Sequence, residues 1–442
     1  MSSPCPSPPR FRELFWYWLK LGIISFGGPA GQIAMMHQEL VEKRRLLSEQ
    51  RFLHALNYCM VLPGPDAQQL AIYLGWLLHR SWGGIVVGTL FLLPSLFILA
   101  GLSYVYLVWG DVPLVQGVFA GIKPAVVAVV LFAAWRLGGR VLKNPALWAL
   151  ALLAFVAIFV FAVPFPYIVI AAALLGALGG RLMPHWFAIA GGHQAAQEAG
   201  APALFDDDTP PPPHARFRPR RLLALVGLFV ALWAVAMWLL PTGILQQMGG
   251  FFSKAALVTF GGAYAVLPYV YQGGVEQYQW LSAGQMMDGL ALGESTPGPL
   301  IMVVAFIGFL GGWQGEVFGP QMLVWGGIAG ALVATFFTFL PGYLFILAGA
   351  PLVESTHGEL RFTALLSAIS AAVVEVIFNL ALFLGWHVLW PAAVSTAPFA
   401  GGFAWFDALL ALLAFVALWR LKLGIMTVVG AGALIGLVLA LL

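Results

Sequence analysis

The sequence predicts an all-α integral membrane protein made of two inverted-topology repeats, with about 10–13 membrane segments. Of its 442 residues, 61% are hydrophobic and only 9% are charged, whereas soluble domains carry about 25% charged residues. The apolar residues fall into stretches close to the roughly 20 residues that cross a bilayer as a helix. Motifs of the first half return in the second half at constant spacing. These three observations predict a polytopic protein with an internal duplication.

Composition and motif content also exclude several classes of function. The net charge of +3 is too small to indicate a nucleic-acid partner. The two cysteines lie in the N-terminal tail (Cys5) and in an apolar segment (Cys59), so a disulfide framework is not expected. The chain has no Walker A sequence, no Gly-x-Ser-x-Gly or His-Glu-x-x-His motif, and no cluster with metal-ligand spacing. We therefore expect no enzyme, no cofactor and no metal site.

A polar stretch divides thirteen apolar ones into six before it and seven after it. This polar stretch is rich in proline and in charge, which is typical of a linker rather than of a packed element. The predicted domains, in chain order, are a disordered tail at 1–10, the first repeat at 11–184, a cytoplasmic linker at 185–220, an additional transmembrane helix at 221–240, and the second, inverted repeat at 241–442.

Two motifs carry the duplication. The segment Lys20–Gly28 (KLGIISFGG) matches Lys254–Gly262 (KAALVTFGG), and Pro-Gly-Pro at 63–65 recurs at 297–299, both with an offset in numbering of 234. Later matches have an offset of 247, which one insertion before Pro341 reconciles. Seven apolar stretches separate equivalent positions, and this odd number predicts that the second repeat is inverted. Inverted repeats are common in secondary transporters, whose substrate sites lie near the membrane midplane.

Two topologies fit the sequence. If all thirteen stretches span the membrane from a cytoplasmic N-terminus, the four basic residues between 43 and 51 lie outside, against the positive-inside rule. If 12–45 and 48–79 are instead re-entrant helical hairpins, all eighteen Lys and Arg residues outside the membrane core face the cytoplasm. Each arm, about 14 residues or 21 Å long, passes the middle of a ~30 Å core. We favour the hairpins; kinks in spanning helices are the alternative.

The predicted hairpins turn at Gly-Gly-Pro and Pro-Gly-Pro, which break helices because proline lacks an amide donor and glycine permits unusual dihedral angles. The half-helix that begins at Pro65 presents free N–H groups and the positive end of its dipole, which is typical of an anion site. The Gly-Gly pairs favour close approach of a ligand, with close helix packing as the alternative. The predicted substrate-binding residues are Lys20, Phe26, Gly27, Gly28, Pro29, Pro63, Gly64, Pro65, Asp66, Gln68, Gln69, Lys254, Gly261, Gly262, Pro297, Gly298 and Pro299.

Two of these residues, Lys20 and Lys254, occupy the same position of the two repeats. A lysine within an apolar segment is costly, which makes it a functional candidate by default. Either lysine would supply positive charge for a dianion. Snorkelling of the ammonium group to the membrane interface is the alternative.

A second set of residues is predicted to serve in coupling or gating. Asp288, Glu294 and Glu375 are carboxylates in apolar surroundings, which suits proton coupling, with a structural hydrogen bond as the alternative. His37 precedes a basic loop that forms either an electrostatic vestibule or a solvated surface. The full set is His37, Arg80, Lys123, Asp288, Glu294 and Glu375.

Several motifs together resemble the chromate ion transporter family in its long, two-domain form. They are SFGGP at 25–29, the stretch 44–52, CMVLPGP at 59–65 with QLA at 69–71, and LPS at 93–95, then TFGG at 259–262, WLS at 280–282 and ESTPGP at 294–299. The resemblance covers roughly 11–183 and 245–442. It implies gradient-driven efflux of chromate from the cytoplasm by an inner-membrane protein of a prokaryote, and thereby chromate resistance. Sulfate, an isosteric tetrahedral dianion, is the natural competitor.

The chain departs from the family pattern in two places. Family members often have a histidine shortly after Gly-Gly-Pro, where this chain has Gly31-Gln32, and often Ser or Thr after the first Pro-Gly-Pro, where it has Asp66-Ala67. An acid there repels a dianion unless it is protonated or paired with a base such as Arg80. Transport of sulfate or another anion and a non-transporting membrane scaffold or sensor therefore stay as alternatives. A homodimer is also left open.

Overall fold

The structure, a computed structural model, describes residues 11–25, 28–161, 163–182, 203–206, 209–210, 212–260, 263–355, 363–391 and 399–442. The predicted disordered tail and most of the predicted linker before residue 203 lie outside this part. The helices of the first half are α1 (Phe11–Ile24), α2 (Gly28–His37), α3 (Glu49–Val61), α4 (Asp66–Trp109), α5 (Pro113–Val141), α6 (Pro145–Phe159) and α7 (Phe165–Leu182). Those that follow are α8 (Pro219–Leu239), α9 (Ile244–Val258), α10 (Ala263–Tyr271), α11 (Ala283–Ser295), α12 (Val303–Gln314), α13 (Leu323–Ser355), α14 (Thr363–Leu389), α15 (Trp405–Trp419) and α16 (Ile425–Leu441).

The internal duplication is present in the helix boundaries. Helices α3 and α11 begin and end with the same offset of 234, and so do the π-helical turns Gln38–Lys43 and Gln272–Gln277 that extend α2 and α10. The later helices α6 and α15 begin at Pro145 and Trp405, an offset of 260. A second insertion, which the sequence motifs did not reveal, therefore falls between α14 and α15. Helix α8 has no counterpart in the first repeat.

Within the described ranges, six helices are long and apolar enough to cross a membrane: α4, α5, α7, α8, α13 and α14. Four further apolar segments, α6, 300–314, α15 and α16, are shorter, at 10–17 residues. Helix α8 coincides with the predicted additional helix at 221–240, and almost none of its side chains is buried. This exposure suits a helix surrounded by lipid.

Helix α4 is two antiparallel arms, because the chain reverses at His79 and Arg80. Arg80 has φ +58° and ψ −161°, which is incompatible with a continuous helix. On either side of the reversal, Gly75 and Gly83 pack backbone to backbone, and a Cβ on Gly75 would lie 2.7 Å from the Gly83 carbonyl oxygen. The short arm (66–78) therefore returns against the long arm (81–109), and only the long arm has the length to span the membrane.

Helix α3 and the short arm of α4 form the predicted second hairpin. Two contacts give the direction of α3 along α13. Arg51, near the start of α3, pairs with Glu354. Tyr58, near its end, donates a 3.0 Å hydrogen bond from its hydroxyl to the Phe345 carbonyl oxygen. The short arm of α4 runs in the other direction along α13. Gln68, near its start, faces Gly342, and Tyr73, further along, contacts Glu354. The two helices are therefore antiparallel, with Pro-Gly-Pro at the tip between them.

Helices α1 and α2 form the first hairpin in the same way. Near the tip, the side-chain amide of Gln32 donates to the Ser25 carbonyl oxygen at 3.3 Å. At the open end, the Arg44 guanidinium lies over the Tyr17 ring, 5.7 Å from its centroid. The part of the chain between these contacts runs antiparallel, as expected for a helical hairpin that turns at Gly-Gly-Pro.

Both hairpins of the first repeat open on the side that holds the linker. The Ser48 amide donates to the Phe205 carbonyl oxygen at 3.1 Å, next to the start of α3. The His214 ring donates to the Trp76 carbonyl oxygen at 3.1 Å, next to the end of the short arm of α4. The linker thus bridges the two ends of one hairpin. We call this side of the molecule the linker side.

The hairpins of the second repeat, α9 with α10 and α11 with α12, open on the opposite side, which we call the far side. A side chain at Gly315, just after α12, would collide with Ile244 at the start of α9. The Trp313 ring meets the Tyr104 ring at the far end of α4, with centroids 6.0 Å apart. The two repeats are therefore inverted relative to each other, as predicted. The depth of the hairpins in a bilayer stays a prediction.

Cysteine labelling distinguishes the hairpins from full spans. In a background without the two native cysteines, we expect Arg45→Cys and Arg80→Cys to react with an impermeant maleimide from the same side, because both lie at the open ends of the first-repeat hairpins. Arg216→Cys marks the linker side, and Glu316→Cys is expected to react only from the other side. Labelling of positions 45 and 80 from opposite sides would contradict the hairpins and support thirteen full spans.

Candidate functional site

The four helix breaks meet inside the molecule through two reciprocal hydrogen bonds. The Gly64 amide of the first repeat donates to the Thr259 carbonyl oxygen of the second at 2.7 Å. The Gly298 amide of the second repeat donates to the Ser25 carbonyl oxygen of the first at 2.9 Å. Both pairs of equivalent residues, Gly64 with Gly298 and Ser25 with Thr259, are 234 positions apart. Each Pro-Gly-Pro tip thus caps the broken helix end of the other repeat.

The glycine in each tip is required by its backbone conformation. Gly64 has φ +130° and Gly298 has φ +108°, values that residues with a side chain rarely adopt. A Cβ at Gly298 would also collide with the Ser95 hydroxyl, and one at Gly64 with the side chain of Gln69. The flanking prolines have no amide proton, so the glycine amide is the one donor that each Pro-Gly-Pro tip offers.

Side-chain donors pair three further carbonyl oxygens at the tips. The Gln32 amide donates to the Gly298 carbonyl oxygen at 2.7 Å, and the Ser95 hydroxyl donates to the carbonyl oxygen of Pro297. The Gln69 amide donates to the Pro63 carbonyl oxygen at 2.7 Å. The partial negative charges of these three carbonyl groups are therefore compensated within the protein.

The amides that open the following helices are left without partners. The N–H groups of Asp66, Ala67 and Gln68 form the first turn of α4, where a helix supplies no acceptor. No other part of the described chain accepts them. The same holds for Leu300 and Ile301 in the turn before α12. With carbonyl groups paired and amides free, the junction of the tips has the electrostatic character of an anion site.

Polar side chains at the junction also lack partners. Gln68 is fully buried, and neither atom of its amide group has a hydrogen-bond partner among the described residues. The Oε1 atoms of Gln32 and Gln69 and the hydroxyl of Ser25 are buried and unpaired in the same way. Unpaired buried polar groups cost about 1–3 kcal/mol each. Such a cluster indicates a polar guest, either solvent or ligand.

The polarity of the junction comes from the first repeat. Gln32, Gln68, Gln69 and Ser95 correspond to Val266, Met302, Val303 and Gly342 in the second repeat. The two repeats thus share the backbone arrangement and differ in the side chains that line it. This agrees with the expectation that the two copies are chemically unequal.

The carboxylates predicted near the breaks have different surroundings. Glu294 accepts a 2.7 Å hydrogen bond from the Tyr264 hydroxyl. Asp66 is half-buried and forms no ion pair with any residue that the structure describes. The suggested pairing with Arg80 is wrong, since Arg80 is exposed at the opposite end of the short arm of α4, about 21 Å away by helical rise.

The two lysines that share a repeat position, Lys20 and Lys254, do not lie among the buried residues of the junction. Lys20 is exposed on the face of α1 that also carries the exposed side chains of Trp16 and Ile23. Lys254 is exposed on α9, next to the exposed Leu257. This placement favours the alternative interpretation, in which the ammonium groups extend towards the membrane interface.

Another predicted gating pair is present on the far side. Lys123 on α5 lies 3.4 Å from Asp288 on α11, and the Tyr106 hydroxyl of α4 donates to the same carboxylate at 2.9 Å. Asp288 is buried, at 5% exposure. The contact joins a hairpin of the second repeat to two helices of the first. Glu375, by contrast, is half-buried on α14 and remote in sequence from every tip.

The predicted basic vestibule around His37 is neutralised by carboxylates, so that interpretation is wrong. The His37 ring lies between Glu42 at 3.3 Å and Glu49 at 2.5 Å. Arg44 pairs with Glu39 at 2.8 Å. These side chains form a network of paired charges on the linker side.

A buried ion pair that the sequence did not indicate lies on the linker side. Arg51 and Glu354 are 7% and 2% exposed and form a salt bridge, and the Tyr73 hydroxyl donates to the same carboxylate. Arg51 also donates to the Asp206 and Thr209 carbonyl oxygens at 3.1 and 3.3 Å. It therefore joins α3, α13 and the linker. An acid in the long apolar α13 was the available signal.

Four of the predicted binding residues, Phe26, Gly27, Gly261 and Gly262, lie outside the described residues. Gly28, with φ +74°, and Pro29 begin α2 at the first break. Among the residues that the structure does describe, no group of three His, Cys, Asp or Glu side chains is placed to hold a metal ion.

A model of the chromate transporter family matches residues 12–177 and 246–437. The chain belongs to the chromate transporter family. The two matched ranges run from α1 to α7 and from α9 to α16, so the linker and α8 lie between them. Each matched range contains one Gly-Gly break and one Pro-Gly-Pro break.

The family relationship extends over most of the chain. It is 31% identical over 374 residues to the chromate transport protein of Cupriavidus metallidurans, covering 84% of this chain and 82% of the relative. It is 30% identical over 449 residues to the chromate transport protein of Pseudomonas aeruginosa, covering 98% and 93%. A probable chromate transport protein of Synechococcus elongatus is 28% identical over 375 residues, 85% and 84% of the two chains. No solved structure matches the chain.

Substitution of Gly298 tests the reciprocal bonds. We expect Gly298→Ala to lower the free energy of unfolding by about 1–3 kcal/mol, because the new Cβ is strained at positive φ and collides with Ser95. The measurement is the thermal unfolding midpoint in detergent. The matched control is Gly227→Ala in α8, where a Cβ meets nothing within 4 Å. Equal midpoints for the two variants would contradict the tight junction.

Substitution of the Arg51–Glu354 pair tests the buried contact on the linker side. Glu354→Gln leaves the Arg51 charge buried without its counter-ion, and we expect a loss of about 3–5 kcal/mol in unfolding free energy. Arg51→Met combined with Glu354→Met removes both charges and is expected to recover most of that loss. Thermal unfolding of the single and double variants measures the coupling. A double variant as unstable as Glu354→Gln would argue against this pair.

Proposed function

We propose that this protein is a secondary active transporter that exports chromate across the plasma membrane and so confers chromate resistance. The observation that supports this most is the junction of hairpin tips, where carbonyl groups are paired and amide groups are free. Membership of the chromate transporter family, with relatives named as chromate transport proteins, supports chromate as the substrate.

The chemistry of the junction suits a tetrahedral oxyanion. Such an ion presents four oxygen atoms and needs several hydrogen-bond donors arranged around it. The free amides of Asp66, Ala67 and Leu300 and the unpaired amide group of Gln68 are donors of this kind. They carry no full charge, so the oxyanion would bind without forming an ion pair that is slow to break. Moderate affinity favours release after transport.

Charge distribution and motif content support a direction and an energy source for transport. The eighteen Lys and Arg residues outside the apolar core fall on the linker side in the hairpin topology, which makes that side cytoplasmic by the positive-inside rule. The sequence contains no nucleotide-binding motif. We therefore propose export from the linker side to the far side, driven by an ion gradient.

Two ion pairs on opposite sides of the junction are suited to act as gates. Arg51–Glu354 joins a first-repeat hairpin to α13 on the linker side, and Lys123–Asp288 joins a second-repeat hairpin to α5 on the far side. Each pair therefore holds one repeat against the other. In an alternating-access cycle, one pair would open while the other stays closed, so that the junction faces one side at a time. With both pairs formed, the present conformation corresponds to a closed state.

Transport itself is tested with inside-out membrane vesicles. Vesicles that contain the protein are expected to accumulate chromate above empty vesicles, and sulfate in excess is expected to reduce that uptake. Gly64→Leu is expected to lower the uptake by more than about tenfold, because a side chain at φ +130° is strained and collides with Gln69 beside the free amides. The amount of folded protein in the vesicles is measured in parallel, and uptake is expressed per folded protein.

Gly227→Leu is the control for this variant, because its site faces open space on α8. It is expected to transport chromate like the unchanged protein. Full transport by Gly64→Leu would contradict a site at the junction, although chromate export would still hold. No uptake above empty vesicles by the unchanged protein would contradict export and favour a scaffold or sensor.

A further inference from the structure

Asp66 is an acid in the first turn of the helix whose free amides form the anion site. It is half-buried next to the Pro-Gly-Pro tip, and the adjacent Gln68 is fully buried with both amide atoms unpaired. Its counterpart in the second repeat is Leu300, which carries no charge. One side of a pseudo-symmetric site therefore has a carboxylate that the other side lacks.

The groups that surround Asp66 do not supply a counter-charge. The Cys59 thiol of α3 lies close to Asp66. Next to Asp66 in the chain, Gln68 lies near the Tyr343 hydroxyl of α13, and the Gly64 amide binds the carbonyl oxygen of the neutral Thr259. Among the described residues, no Lys, Arg or His forms an ion pair with Asp66. The nearest basic residue of its own helix arm, Arg80, is at the opposite end of that arm. The carboxylate is thus available to a ligand.

A carboxylate within an amide-lined anion site distinguishes between protonation states of the ligand. An ionised carboxylate accepts hydrogen bonds and donates none. A fully ionised oxyanion also has only acceptors, so its oxygen atoms would face the oxygen atoms of Asp66 with like charge. A singly protonated oxyanion has one O–H group, which donates a short, charge-assisted hydrogen bond to the carboxylate. The free amides hold its remaining oxygens.

This difference separates two ions that have the same shape. Hydrogen chromate is a weak acid, so a substantial fraction of chromate carries a proton near neutral pH. Hydrogen sulfate is a strong acid, so sulfate is fully ionised under the same conditions. A site that requires an O–H donor accepts the first ion and rejects the second, although both are tetrahedral and similar in size. Rejection by unmatched hydrogen bonding is stronger than rejection by size.

We propose that Asp66 is a specificity-determining residue that accepts the proton-bearing oxygen of a singly protonated tetrahedral oxyanion and so selects hydrogen chromate over sulfate. The proposal rests on the proposed function, because it concerns the substrate of the same site.

The test compares inhibition of chromate uptake by sulfate in four proteins. The first is the unchanged protein. Asp66→Asn replaces an acceptor oxygen by an NH₂ donor of the same shape, and Asp66→Ser replaces the carboxylate by a neutral hydroxyl that both donates and accepts. The control is Asp111→Asn in an exposed loop on the far side. The unchanged protein and the control are expected to take up chromate faster in mildly acidic medium and to be inhibited by sulfate only at a large excess.

In Asp66→Asn and Asp66→Ser, the sulfate concentration that inhibits chromate uptake is expected to be at least about tenfold lower than in the unchanged protein. The dependence of uptake on pH is also expected to flatten. Sulfate inhibition that is unchanged in both variants would overturn the proposal. Loss of uptake in both variants with unaltered sulfate binding would also overturn it and would favour a proton carrier at this position.

Equilibrium dialysis of the detergent-solubilised proteins against labelled sulfate and chromate keeps the two proposals separate. Tighter sulfate binding by Asp66→Asn or Asp66→Ser than by the unchanged protein supports the selectivity of Asp66 even if no variant transports. If the unchanged protein binds both ions equally well, the selectivity fails while export can hold. If vesicles of the unchanged protein take up no chromate, export fails, whatever the dialysis gives.

Discussion

The structure depends on two hydrogen bonds that neither repeat is able to form alone. A helix that breaks inside a membrane exposes amide and carbonyl groups, each of which costs several kcal/mol in hydrocarbon unless it is paired. Here the Gly64 amide pairs with Thr259 and the Gly298 amide pairs with Ser25, across the pseudo-twofold axis. The breaks that create the site are therefore stable only where both repeats meet.

The site combines a symmetric backbone with asymmetric side chains. Both repeats supply a glycine amide, a paired carbonyl group and a helix start, whereas Gln32, Gln68, Gln69 and Asp66 come from the first repeat. Ion pairs are distributed unevenly as well: Arg51 corresponds to Gln285, and Asp288 to His54. The backbone arrangement is thus common to both repeats. We propose that the choice of anion and the control of access depend on side chains that one copy has and the other lacks.

Much of the fold was predictable because its causes are local. Hydrophobic stretches, the Pro-Gly-Pro and Gly-Gly motifs and their constant offset of 234 indicated the helices, their breaks and the inversion. The positive-inside rule indicated hairpins, and the structure has antiparallel arms at both positions. The reversal at Arg80 carries no glycine or proline, so no local signal of a turn was present there, and the residue was taken as a partner for Asp66 instead.

Contacts between distant parts of the chain were harder to predict. Arg51 and Glu354 are separated by 303 positions, and each alone has an ordinary explanation as a basic loop residue or a helix-end acid. Lys20 and Lys254 shared a repeat position, which suggested a common role in binding, but their exposure depends on helix orientation that a motif does not specify. Repetition therefore predicted where backbones meet more reliably than what side chains do.

The reciprocal pairing of the tips also has a consequence for biosynthesis. Thr259 follows Gly64 by 195 positions, and synthesis of that stretch takes about 10–40 s at translation rates of roughly 5–20 residues per second. During that time the first Pro-Gly-Pro turn has no acceptor for its amide. Arms of about 14 residues extend about 21 Å, less than the ~30 Å hydrocarbon core, so the hairpin topology leaves the first tip unpaired while the long helices insert. Maturation of the first half is thus completed only by the arrival of the second.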